Sequence, residues 1–410
     1  MLASSPKERL QRPTQAVILA GGRGTRLRPI TDTRPKPMVE FHGKPFLEYI
    51  VEMLRDHGFG RILMLLGYLP EAIQTHFEDG DRWGVAIEYS VTGPDDLTAH
   101  RMKVAADLLD PSFLLLYCDN YWPMRFDDMW ERFVAADVPA MVTVYNNRDG
   151  YSRDSVRVGE SGFVEVFDRS RTSPGLSGVE ISYALLRRSV LGLLPTEDAL
   201  FEEAVYPPLV DRGELLAYVT EHRYYSVGSA ERLPRTERFL ARRPAVILDR
   251  DGVLNERPPK AQYVRKAEEF RWLPGAKDAL RLFREAGYLV IVVSNQAGIA
   301  RGAMTEGDLA RIHDRMRAEA AAAGGAIDAI YHCPHDWDEG CDCRKPKPGM
   351  LFSAQRDFDV DLTRTPFIGD DERDAEAAQA AGCPSMLVSE RATLLDLARG
   401  LVRDRLVEVT

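Results

Sequence analysis

The 410-residue chain has only five cysteines, an odd and sparse set that excludes a disulfide framework. Long apolar runs are missing too. The longest, at residues 62–66 and 289–293, fall far short of the ~20 residues that span a bilayer and read as buried strands. Positive charge is in deficit: 53 Lys and Arg against 63 Asp and Glu give a formal charge of −10, so there is no bulk attraction for nucleic acid or an anionic membrane. The opening MLASSPKERLQRPTQ has no apolar core of the signal-peptide kind, and a cytoplasmic location is expected. There is no internal repeat, and the one low-complexity tract is the short AEAAAAGG at residues 318–325. These absences predict neither a nucleic-acid nor a membrane partner, and they leave the oligomeric state open.

What is present is globular in kind, with 45% hydrophobic and 28% charged residues. The length suits two or three domains. Apolar β-type runs (AVILA, RILMLLG, FLLLY, AMVTVY) alternate with helical patterns, as in parallel α/β layers. One such helix is expected over residues 45–57, where Phe46, Ile50, Met53 and Leu54 share a face and Gly58 follows as terminator. After the charged stretch SAERLPRTERFLARRP the pattern restarts with AVILD. The fold class expected is α/β, as two Rossmann-like three-layer α/β/α domains in tandem: an extension at 1–14, a domain at 15–240, a linker at 241–244 and a second domain at 245–410.

In the second domain three strand-like runs end in reactive residues: Asp249 and Asp251 after AVIL, Ser294 and Asn295 after LVIVV, and Asp370 and Asp371 after PFIG. Ligands of open α/β sheets bind at the carboxyl ends of strands, so these groups should converge. Two carboxylates one residue apart can divide labour between nucleophile and acid–base, as Asp249 and Asp251 would. A phosphate dianion repels such a nucleophile, so the chemistry needs Mg²⁺, with Asp370 as an oxygen ligand, and a cation from Lys345 or Lys347.

Together DRDGVLN, SNQ, CRKPKPGM and GDDERD resemble the four motifs of the haloacid dehalogenase superfamily of phosphatases, over residues 245 to about 402. The resemblance implies that Asp249 accepts the phosphoryl group, Asp251 is the general acid and base, Lys345 stabilises charge, and Ser294 and Asn295 meet the substrate. It also implies Mg²⁺ on Asp249, the Asp251 carbonyl and Asp370. Asp371 and Asp374 either hold the metal's waters or orient Lys345, and Asp374 also stands where a helix N-cap is expected.

Cys333, His335, Cys341 and Cys343, in CPHDWDEGCDC, have the spacing of a closed Cys₃His tetrahedron, which predicts structural Zn²⁺. Cys118 and Cys383 read as core thiols. The zinc loop resembles the group holding heptose-bisphosphate and histidinol phosphatases, which implies that Arg344 contacts substrate. The KPGM ending is like the heptose enzymes, whereas the five-residue spacer after His335 resembles the histidinol phosphatases.

In the first domain, AVILA is followed by GGRGTRLRPITDTRPKPM. Gly21, Gly22 and Gly24 permit close backbone approach to phosphates, and Arg26 and Lys36 can neutralise them. The string resembles the signature of sugar-phosphate nucleotidyltransferases, over roughly residues 15–233. That resemblance implies a nucleoside triphosphate or nucleotide sugar as ligand, Asp119 as a metal aspartate, and Glu180 near sugar hydroxyls. The chain departs from the pattern at TGPDDLTAHRMK, at Asp168–Arg169–Ser170 and at Ser226, where a second metal aspartate is usual. A working transferase and a catalytically weak binding domain are both expected possibilities. A phosphatase yielding a sugar 1-phosphate, joined to a domain that consumes one, would form consecutive steps towards a nucleotide-activated heptose, with a small phosphorylated sugar as substrate. A histidinol-phosphate or other small phosphomonoester phosphatase is the alternative.

Overall fold

The computed structural model describes residues 11–259 and 262–409. Most of the expected N-terminal extension, residues 1–10, lies outside them. The chain divides into two compact units, one ending at Leu240 and the other starting at Ala241. Pro244, at the end of the expected linker, already accepts a backbone hydrogen bond from Leu289, so its carbonyl belongs to the second unit. Among the described residues no helix is long and apolar enough to cross a membrane.

The first unit is built on a seven-stranded sheet in the order Leu215–Thr220, Ala140–Tyr145, Val179–Arg187, Ser112–Tyr117, Gln15–Ala20, Arg61–Leu66, Ala86–Val91. Alternate residues of the central strand enter different cores. Ala16 and Ile18 face one cluster, Val17 and Leu19 the other, which is why AVILA is apolar throughout. The helix Phe46–Asp56 forms where its apolar stripe predicts, with Gly58 at φ 86° behind it. The sheet departs from all-parallel order at Val179–Arg187, which is antiparallel to both neighbours. Its register shifts between Glu180 and Ala184, and Ser182 sits at φ 66°. Such a bulge re-aims side chains, here around Glu180.

The second unit carries a five-stranded, all-parallel sheet: Ala329–Cys333, Leu289–Asn295, Ala245–Asp249, Phe367–Gly369, Ser385–Leu387. Val246, Ile247 and Leu248 are fully buried, each contributing about 1.5–3 kcal/mol of hydrophobic stabilisation. Strand Ala245–Asp249 lies between the strands that end at Asn295 and Gly369, so the three motif-bearing ends are adjacent. The expected Thr305–Asp308 capping box is formed. At the helix Glu372–Ala381, however, the N-cap is Asp371, with Asp374 as its N3 partner in a second capping box. Asp374 is therefore not the N-cap that its position suggested.

Candidate active site

At the end of the central strand of the second unit, Lys345 Nζ lies 2.7 Å from Asp249 Oδ1 and 2.7 Å from Asp374 Oδ1. All three groups are buried. Burial, reinforced by Asp374 and Asp251 and opposed by Lys345, pushes the Asp249 carboxyl up to about 7. Asp374 spends its other oxygen on the backbone N–H groups of Asp370 and Asp371, at 3.0 and 3.3 Å, so the capping box also aims the carboxylate at Lys345.

Carboxylate oxygens of Asp249, Asp370 and Asp374 lie within 4.8 Å of one another. Gly252, at φ 95°, has no room for a side chain: a Cβ there would fall 1.9 Å from Asp370 Oδ2. Asp370 is thus pressed against the backbone that follows the Asp251 carbonyl. Three carboxylates around one buried ammonium leave an excess of negative charge, and hard oxygen donors are what Mg²⁺ takes. The residues present fit that ion. Asp371 pairs with Arg257 at 2.7 Å and Arg373 at 2.5 Å. Arg257 also reaches Asp370 Oδ2, at 3.0 Å.

Asp251 is enclosed by donors. Arg250 Nη2 is 2.8 Å away, Gln296 Nε2 2.9 Å and Asn255 Nδ2 2.9 Å, with Ser294 Oγ at 3.4 Å. Although burial opposes its charge, Arg250 and these hydrogen bonds hold its carboxyl below the ordinary range. Asn295 makes two bonds to the Lys345 backbone, donating to its carbonyl at 3.0 Å and accepting from its N–H at 3.1 Å. The cation's backbone is fixed by this pair. A cavity of about 690 Å³ gathers Asp249, Asp251, Ser294, Arg344, Lys345 and Asp370, and Asn295 also borders it.

Cys333, His335, Cys341 and Cys343 form a second cluster, with all four ligand atoms within 4.8 Å. His335 Nδ1 lies 3.5 Å from Cys333 Sγ and 3.3 Å from Cys343 Sγ, and Cys333 and Cys341 are 3.6 Å apart. A tetrahedral Zn²⁺ with Zn–S bonds of about 2.3 Å has edges of about 3.8 Å, so the donor set and its separations fit that ion. Arg344 Nη1 donates to the His335 carbonyl at 3.1 Å, tying the loop to the cavity. Cys118 and Cys383 are both buried, Cys383 in the apolar core of the second unit.

In the first unit Lys36 Nζ meets Asp119 Oδ2 at 2.5 Å. Lys36 and Arg26 overcome burial to keep Asp119 ionised. Gly24 has φ 64°, and Gly22 is open, whereas Gly21 is required by a different neighbour. A Cβ at Gly21 or Gly67 would fall 2.3 or 2.4 Å from the Arg101 guanidinium, which is buried and bonds to the Gly21, Gly93 and Asp96 carbonyls. Arg101 gives no sign of this in a one-dimensional reading, because its acceptors come from loops far apart in the chain. Asp95 is held by Arg23, at 2.7 and 2.8 Å, and Asp96 closes its own turn on the Gly93 N–H.

A cavity of about 570 Å³ is lined by Arg26, Asp119, Arg169, Glu180, Ser226 and Arg232, among others. Strand Tyr225–Ser226 pairs with Asn120–Tyr121, which sets Ser226 opposite Asn120 in the lining of the cavity that Asp119 also borders, and its Oγ accepts the Gly228 N–H. Asp168 is consumed by its own turn, accepting from the N–H groups of Ser170, Thr172 and Ser173. Its neighbour Arg169 pairs with Glu202 at 2.9 Å. Burial pushes Glu180 up to about 8, despite a hydrogen bond from the Ser182 N–H.

This architecture defines a hydrolase of the haloacid dehalogenase type joined to a nucleotidyl transferase domain. Residues 15–167 match the nucleotidyl transferase family and residues 342–400 the HAD-hydrolase-like family. A D-glycero-beta-D-manno-heptose-1,7-bisphosphate 7-phosphatase of Bordetella bronchiseptica is 43% identical over 155 residues, which are 38% of this chain and 86% of that protein. A D-glycero-alpha-D-manno-heptose-1,7-bisphosphate 7-phosphatase of Campylobacter jejuni is 42% identical, over 35% of this chain and 81% of that one. Through its second unit the chain belongs to this family of bisphosphate phosphatases. The crystal structure of HddC from Yersinia pseudotuberculosis is 23% identical, covering 54% of this chain and 97% of its own, with a TM-score of 0.47.

Proposed function

We propose that the second unit removes the 7-phosphate of D-glycero-D-manno-heptose 1,7-bisphosphate through a phosphoryl-aspartate at Asp249, and that the first unit binds the resulting sugar 1-phosphate together with a nucleotide. The observation that carries the first half is the buried Asp249–Lys345–Asp374 bridge at the end of the central strand, in a unit that is 43% identical over 155 residues to a relative of that name.

Asp249 attacks phosphorus while Lys345 balances charge on the transferring oxygens, and the P–O bond to the sugar breaks. The leaving oxygen takes its proton from Asp251, which must take one up beforehand because its surroundings favour the ionised form. Water then attacks the phosphoryl-aspartate and returns a proton to Asp251, whose network of Arg250, Asn255 and Gln296 favours the proton-accepting form. Mg²⁺ would be held by Asp249, Asp370 and the Asp251 carbonyl, and when bound it supplies Lewis-acid neutralisation of the phosphate. Asp374 orients Lys345. Zn²⁺ would be held by Cys333, His335, Cys341 and Cys343 and would stiffen the loop that carries Arg344.

In the first unit Arg26, Lys36 and Asp119 form the nucleotide end, with Gly22 and Gly24 admitting the phosphates. Ser226 in place of a carboxylate leaves Asp119 without an acidic partner at that position, so transfer is weak while binding is retained. Guanylyl transfer is the reaction this pairing of activities points to.

Phosphate release from both anomers of the bisphosphate, from histidinol phosphate and from simple sugar phosphates tests the first half. The highest kcat/KM is expected for a heptose bisphosphate, with the 1-phosphate left on the product. A preference for histidinol phosphate would overturn the substrate. Pyrophosphate release with a heptose 1-phosphate and each triphosphate tests the second half.

A further inference from the structure

The cavity beside Asp119 in the first unit does not fit a metal ion held by paired carboxylates. Among the described residues, both clusters of three or more metal-ligating groups lie in the second unit. The carboxylates that border the first unit's cavity are engaged elsewhere. Asp119 pairs with Lys36, Glu202 pairs with Arg169 at 2.9 Å, and Glu180 accepts the Ser182 N–H. Glu231 is exposed to solvent. Ser226, where a second metal aspartate would stand, offers only a neutral hydroxyl.

The cavity holds instead two guanidinium groups, Arg171 and Arg232, that meet neutral side chains rather than carboxylates among the described residues. Arg171 Nη1 and Arg232 Nη2 both donate to Ser152 Oγ, at 3.2 and 3.1 Å. A hydroxyl has two lone pairs and one hydrogen, so Ser152 is left with its O–H to donate. Its backbone is fixed by Asn147, the N–H donating to Oδ1 at 3.0 Å and the carbonyl accepting from Nδ2 at 2.7 Å. Arg232 is steadied by the Tyr224 hydroxyl at 3.1 Å, and its guanidinium lies 5.0 Å from the Tyr151 ring centre and 5.4 Å from that of Tyr224. Arg171 sits at φ 60°, an uncommon backbone state for a residue with a side chain. The turn closed by the Asp168 carboxylate imposes that state. This turn begins at Asp168–Arg169–Ser170, where the chain departs from the nucleotidyltransferase pattern, and it delivers Arg171 to Ser152.

We infer that Arg171 and Arg232, joined through Ser152, seat the phosphate of the sugar 1-phosphate in the first unit and supply the positive charge that a metal ion on a carboxylate at position 226 would otherwise bring. Binding at this seat needs no divalent cation. Each guanidinium has five donors, of which Arg171 spends one and Arg232 two on these side chains. Two such forks and a hydroxyl converging on one point suit the oxygens of a phosphate dianion. Arginines already in place before reaction grip ground state and transition state alike, so they favour affinity over rate. The inference rests on the reading of the first unit as a binder of sugar 1-phosphate and nucleotide, and adds to it how binding survives the loss of the aspartate.

The test is isothermal titration calorimetry of the full chain with each anomer of D-glycero-D-manno-heptose 1-phosphate, first without added divalent ion and then with Mg²⁺. The Kd of the unaltered chain is expected to agree within about threefold between the two conditions. Arg232→Ala should weaken binding at least tenfold in both, and Arg232→Lys should recover part of the loss. Arg171→Ala, which removes an exposed side chain and so does not threaten the fold, should weaken it at least threefold. Affinity unchanged within twofold in either alanine variant, as when all the binding takes place in the second unit, overturns the seat. A Kd that falls more than tenfold on adding Mg²⁺ overturns its independence of metal. No binding by the unaltered chain under either condition would instead overturn the reading of the first unit itself.

Discussion

Asp374→Asn separates two roles for a buried carboxylate beside a metal site. Asp374 makes a charge-assisted contact of 2.7 Å to Lys345 and accepts two backbone N–H bonds with its other oxygen. An asparagine oxygen can keep the N–H bonds, but its amide then points NH₂ at the ammonium. The loss is one bond to a charged group, about 1.5–3 kcal/mol. If that bond serves mainly to aim Lys345 at the transferring phosphoryl group, the loss falls on the transition state, and kcat drops about 10–150-fold at 1.36 kcal/mol per decade. The apparent Mg²⁺ midpoint should move by less than about threefold, because Asp249 and Asp370 remain. Steady-state phosphate release across a Mg²⁺ titration reads both quantities. A midpoint shifted more than tenfold, with full kcat recovered at saturating Mg²⁺, would refute the orienting role and make Asp374 a metal ligand.

Three further outcomes follow from the same geometry. Cys341→Ser should reduce stoichiometric zinc, read by elemental analysis, and destabilise the second unit; undiminished zinc would exclude the Cys₃His site. In the first unit, Glu180 holds its proton up to about 8, well above the unfolded carboxyl near 4.3, so its burial weakens folding as pH rises from about 5 to 8. Glu180→Gln should flatten that decline by about 3.5 kcal/mol, read as the difference in unfolding free energy at pH 5 and pH 8. An identical pH slope in both proteins would show that Glu180 titrates normally. Ser226→Asp, which adds a carboxylate to the cavity that Asp119 borders, should raise pyrophosphate release at least tenfold when Mg²⁺ is present; no increase would remove Ser226 as the cause of weak transfer.

The parallel α/β layering and the convergence of the second unit's motifs were legible because each reactive residue follows a short apolar strand directly, and parallel strands deliver their carboxyl ends to one edge. The gathering of Cys333, His335, Cys341 and Cys343 was legible for a similar reason: the four are close in sequence. What escaped reading depends on partners distant along the chain. Arg250 looks like a spacer between two aspartates, yet it is fully buried and grips Asp251. Asn295 reads as a substrate contact, and the fold shows that its amide also holds the Lys345 backbone, fifty positions away. Arg101 shares its donors among loops that meet only in the folded unit, and the bulge around Glu180 depends on Ser182 adopting a positive φ that serine does not advertise. Asp374 was misread as an N-cap because Asp371, three residues earlier, is equally able to cap the same helix.

The most direct measurement is mass analysis of protein quenched in acid during turnover of the bisphosphate, with the same treatment of Asp249→Asn. A phosphoryl group on the peptide containing Asp249, absent from the variant along with phosphate release, is the predicted result. Sustained hydrolysis by Asp249→Asn, or turnover with no phosphorus ever found on that side chain, would contradict the mechanism.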